Sequence, residues 1–109
     1  MTTYELKMDT NPIDGDKLEE GTEVKLQKID FGTMARMQEK TKEFVKEHGE
    51  LGEGEIPASV SIDLIQRCVE EPEELKKKKY IKKLSYPDMK GITEKLSEIS
   101  GIKKKKMKE

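Results

Sequence analysis

Few side chains in this chain could do covalent chemistry, and their spacing gathers none of them. His48 is the only histidine and Cys68 the only cysteine. A nucleophile–base pair also needs a group to orient the base, and all three must converge in space. Nothing in the spacing supports a Cys68–His48 dyad. His48 falls at the end of a helical run, where the helix dipole favours a cationic ring. Cys68 falls on an apolar stripe, where cysteine acts as a small buried hydrophobe. One His and one Cys do not make a zinc site. Asp14-Gly15-Asp16 and Glu70-Glu71-Pro72-Glu73-Glu74 lack the register of a calcium loop. Gly49, Gly52 and Gly54 do not match a phosphate-binding loop. The expectation is a protein with no catalytic residues, no cofactor and no metal.

Nucleic-acid chemistry is poorly served as well. Of the 22 basic residues only Arg36 and Arg67 are arginines, and base readout and bidentate phosphate contacts favour Arg over Lys. Tyr80 follows Lys76 to Lys79, but no aromatic sits among Lys103 to Lys106 to stack a base. The lysines read first as solvated surface. A small Lys-rich nucleic-acid-binding or regulatory protein is the alternative.

The elements that must hold these residues are short. With 109 residues, 32% of them hydrophobic, the chain has room for one small core. Residues 1–55 carry 8 basic and 14 acidic side chains, and residues 56–109 carry 14 and 9. A chain this polarised can self-associate or meet partners of either sign. A single cysteine allows no intramolecular disulfide and suits a reducing cytoplasm. No apolar run reaches the ~20 residues of a membrane helix.

Residues 3–8 alternate through Tyr4, Leu6 and Met8, and residues 23–28 through Val24 and Leu26. The first 22 residues therefore read either as part of a short β-hairpin or as a disordered acidic arm. After Asp30, the series Met34, Met37, Thr41, Phe44, Val45 and His48 keeps the three-to-four step of a helix face. Gly49 to Ile56 reads as a glycine-rich hinge. A second helix follows Pro57, capped by Ser59 or Ser61, with Val60, Ile62, Ile65, Cys68 and Val69 inward, and Pro72 ends it. A third runs from Pro72 to Leu84. A fourth starts at Ser85-Tyr86-Pro87-Asp88, a capping-box-like sequence, and carries Met89, Ile92, Leu96 and Ile99 on one stripe. Lys28 to Met34 resembles Lys83 to Met89, which reads as two helix starts, each a cap plus a hydrophobic anchor. The expected fold is mainly α: a four-helix domain at 23–102, the arm or hairpin at 1–22, and a mobile Lys-rich tail at 103–109. The stripes through Met34, Met37, Phe44, Ile65, Cys68, Met89, Ile92 and Leu96 are expected to meet in one core.

Asp63-Leu64-Ile65-Gln66-Arg67-Cys68-Val69-Glu70-Glu71-Pro72 resembles the "helix, then Cys-Val-x-x-Pro" element of phage tail assembly chaperones, nearest the prophage type beside contractile-tail genes. Lys83 to Met89 and Leu96-Ser97-Glu98-Ile99-Ser100-Gly101 are similar to that family's last helix, and Glu23 to Gly32 to its opening segment. The resemblance implies a non-enzymatic protein of the host cytoplasm, absent from the mature particle. Its partners would be the tape measure protein, which it keeps soluble, and the tail tube protein. It also implies a longer frameshifted product, with the slip at the codons of Lys103 to Lys106. Methionine surfaces repack around varied apolar partners. The expected partner-binding residues are Met34, Met37, Phe44, Tyr80, Tyr86 and Met89.

Overall fold

The structure, a computed structural model, describes residues 2–52 and 56–101. The middle of the glycine-rich loop and the Lys-rich tail lie outside them.

Alternation at both ends of the first 26 residues builds two strands, β1 (Thr2–Glu5) and β2 (Glu23–Leu26), paired antiparallel with Tyr4 opposite Val24. The chain between them is itself folded back. Asp14 and Gly15 both take positive φ, which makes a tight two-residue turn closed by the Ile13–Asp16 bridge. Thr10 is buried and fixes the base of this loop, donating its backbone N–H to the Leu18 carbonyl and accepting the Leu18 N–H on its hydroxyl.

Helix α1 (Phe31–His48) starts where the Asp30 carboxylate accepts the Thr33 N–H at 2.7 Å, and stops at Gly49 with φ 93°. Helix α2 (Ala58–Cys68) begins after Pro57 with no side-chain cap; Ser61, expected as a possible cap, is instead buried on its inner face. A third strand, β3 (Val69–Glu71), then pairs antiparallel with β2. The expected third helix is broken at Lys77 into a 3-10 turn (Glu73–Lys76) and a single α turn, α3 (Lys78–Ile81). Helix α4 (Tyr86–Ile99) is capped by the Ser85 hydroxyl, which accepts the Asp88 N–H.

The mainly α, four-helix expectation is therefore overturned. The protein is mixed α and β, with a three-stranded antiparallel sheet in the order β1-β2-β3. The sheet is not peripheral, because Leu6, Val24, Leu26 and Val69 are all in the core. The helical period carries on through Cys68 and Val69, so α2 looked longer than it is. The residue before Pro72 is driven into the extended region, and β2 offers the freed backbone a ladder.

Helix α2 is the hub. It packs against α1, the 3-10 turn, α3 and α4, and its Val60, Leu64, Ile65 and Cys68 share one core with Leu75, Ile81, Ile92, Leu96 and the sheet residues. The two similar sequences do start helices, but their aromatics anchor nothing: Phe31 is 87% exposed and Tyr86 67%. The aliphatics before them, Ile29 and Leu84, turn inward instead. Met37, Ile65, Cys68, Ile92 and Leu96 do share one core with Met89 at its edge, whereas Met34 and Phe44 stay outside it.

Candidate functional site

Helix α1 is 18 residues long, yet among them only Thr33 and Met37 are buried. Its main packing partner is α2. An open groove of about 550 Å³ runs between the two. Met34, Met37 and Thr41 of α1 line it with Ile56, Val60 and Leu64, joined by Ile29, Ser97 and the exposed Gln38 and Lys42. Met34, Met37, Gln38, Thr41 and Lys42 lie three and four residues apart, so one helix face supplies them all. The wall is mainly apolar and holds two methionines, whose unbranched side chains adapt to an irregular surface.

A buried carboxylate links the two helices. Asp63 of α2 points its Oδ2 at Arg36 Nε (2.9 Å), Arg67 Nε (3.4 Å) and Lys40 Nζ (4.0 Å). Burial pushes the Asp63 pKa up, but the Arg36 hydrogen bond and the charges of Lys40, Arg36 and Arg67 outweigh it and hold the group below the usual range. Arg36 and Lys40 come from α1, so this cluster clamps α1 to α2 beside the groove. Sequence reasoning missed it; the one available signal was the Asp63–Arg67 spacing on a helix.

A second buried carboxylate ties the sheet to α4. Asp88 accepts the Tyr4 hydroxyl (2.8 Å) and Lys7 N–H (2.9 Å) on Oδ1, and the Met8 N–H (3.1 Å) and Ser85 hydroxyl (3.0 Å) on Oδ2. Burial raises its pKa, yet these bonds prevail and lower it. Burial and the Asp88 carboxylate together push the Tyr4 hydroxyl up to about 12. All the donors come from the protein itself, so the cluster is a clasp.

Of the expected partner-binding residues, the structure brings Met34 and Met37 together in the groove. Phe44 lies farther along α1, stacked on His48 at 4.4 Å between ring centroids. Tyr80 and Met89 pack against the core. Tyr86 is exposed, with Lys90 over its ring at 5.8 Å. Ile29, Val60 and Leu64 line the groove as well; of these only Val60 was given an inward face from sequence, as a core residue.

His48 sits at the exposed end of α1, its Nδ1 3.3 Å from the Phe44 carbonyl. Cys68 is in the core, where burial, then the Asp30 charge, pushes its thiol up to about 11 against the opposing pull of Arg67. No three His, Cys, Asp or Glu side chains converge among the described residues, and no helix there is long and apolar enough to cross a membrane. The chain matches no family model, no curated protein and no solved structure.

Proposed function

We propose that the protein is a non-enzymatic tail assembly chaperone of the host cytoplasm, which seats an apolar helical segment of a tape measure protein in the groove between α1 and α2. The observation that carries this reading is the half-used face of α1. Met34, Phe44 and Val45 of α1 are only half-buried, and a second helix laid beside them would cover the rest, the helix-in-groove mode of recognition. Met34 and Met37 suit a client whose successive segments differ in shape. Lys42 on the rim favours a client helix with acidic residues flanking its apolar stripe. The resemblance of residues 63–102 to tail assembly chaperones supplies the client class.

Co-expression tests the reading. The wild type should keep the tape measure protein soluble and co-purify with it in high salt, since apolar docking is little screened. Met34→Glu places a charge in the groove at a half-buried site, so it should abolish co-purification while leaving the melting temperature within a few degrees. No association between folded wild type and client would overturn the proposal. Binding to DNA or RNA that collapses steeply with salt would favour the Lys-rich nucleic-acid reading.

A further inference from the structure

We propose that the outer edge of β1 pairs antiparallel with β1 of a second copy of this chain, joining two three-stranded sheets into one of six strands. In the sheet order β1-β2-β3, β1 is an edge. The Leu6 N–H bonds to Thr22 on the β2 side (3.0 Å), and backbone groups alternate along a strand. Tyr4 therefore also faces β2, and the N–H and C=O groups of Thr3 and Glu5 point the other way. The Lys7 N–H points outward too, but the Asp88 carboxylate holds it. Pairing is thus confined to the stretch Thr3 to Glu5.

Natural edges are blunted by lysine, proline, bulges or covering segments. Here the edge is Thr2-Thr3-Tyr4-Glu5, rich in strand formers, regular in register against β2, and with Thr3 and Glu5 exposed.

The free groups select the partner. When two such edges meet antiparallel about a two-fold axis, Thr3 of one copy lies opposite Glu5 of the other, and Tyr4 lies on the axis. All four outward N–H and C=O groups of each strand then find mates, and no like charges face each other. A shift of one pair one way would set Glu5 against Glu5 and require the Lys7 amide that Asp88 already occupies; a shift the other way would mate only Thr3 with Thr3 among the described residues and leave the Glu5 groups without partners. The edge is self-complementary in one register, as a closed isologous dimer requires. So short a strand falls below the roughly 1,200–2,000 Å² of a stable interface, so the dimer is weak and concentration-dependent. The edge shares no residue with the α1–α2 groove, so the two proposals stand or fall separately.

Sedimentation equilibrium of the full chain over a wide concentration range, in low salt, tests this. The wild type should show a reversible monomer–dimer equilibrium. Thr3→Lys places a cation opposite Glu5 of the second copy at two symmetric positions and should tighten the dimer roughly tenfold; Thr3→Glu should weaken it by a similar factor. Within one copy Thr3 faces Lys25, so monomer stability should move the opposite way, lower for Thr3→Lys and higher for Thr3→Glu. That opposition separates pairing from folding effects. Thr3→Pro removes an outward N–H that the β2 ladder does not use and should leave a monomer. A wild type that stays monomeric at every concentration overturns the proposal, and so do equal dissociation constants for the wild type, Thr3→Lys and Thr3→Glu.

Discussion

Asp88 and Asp63 are both buried carboxylates, and their partners give them different work. Asp63 is held by three cations, whereas Asp88 is held by two backbone amides and two hydroxyls. Asparagine in its place keeps the shape but cannot accept all four bonds, so Asp88→Asn should cost about 1–3 kcal/mol at pH 7 in urea denaturation. The pH dependence follows from the lowered folded-state pKa. With that pKa below the unfolded value of about 3.9, the stabilisation is complete above the unfolded pKa and is lost as pH falls through the folded one. The wild type should therefore lose urea resistance below about pH 4. Asp88→Asn should show a shallower loss, the remainder belonging largely to Asp63, whose shift has the same sign. A variant whose acid limb matches the wild type would show that Asp88 does not set that limb.

At the scale of elements, the contact between β1 and α4 depends on a glycine. A Cβ built on Gly91 would collide with the Tyr4 hydroxyl and ring. Alanine in a helix interior is ordinarily worth about 1 kcal/mol over glycine, so the sign of Gly91→Ala should depend on its neighbour. With Tyr4 present the change should destabilise, and in a Tyr4→Ala background it should stabilise. A double-mutant cycle by thermal melting would expose the inversion; additive effects would mean that Tyr4 moves aside freely. This clasp was not legible in the sequence, because a small residue on a helix says nothing about a strand at the other end of the chain. The starts of α1 and α4 were legible, because Asp30 and Ser85 are local signals that act on amides three residues on. The α4 stripe was legible in Ile92 and Leu96, which are fully buried. Strand β3 was hidden, since three residues are too few to show alternation against a helical period that runs into them. Half the groove was legible as methionines on α1. Its α2 wall was not, because Leu64 lies beside the expected stripe and only the packing of α1 on α2 reveals a second apolar face.

Over the whole molecule, stability is unevenly spread. The core lies among α2, α4 and the sheet, while α1 leans on α2 through Met37 and the Asp63 cluster. Amide exchange should follow this division: the half of α1 from Thr41 to His48 should exchange much faster than α4, and a bound client helix should slow exchange from Met34 to Lys42, the stretch that lines the groove. Uniform protection along α1 in the free protein would contradict the reading of that face as unfinished. The Tyr4–Asp88 clasp has a further consequence for how the chain is made. Its two halves are 84 residues apart in sequence, so the first strand leaves the ribosome long before its anchor exists. Leu6, Val24 and Leu26 are then only partly covered until α4 emerges, and a contact so distant in sequence closes slowly. The newborn chain is, for that interval, as exposed as the client it is proposed to protect.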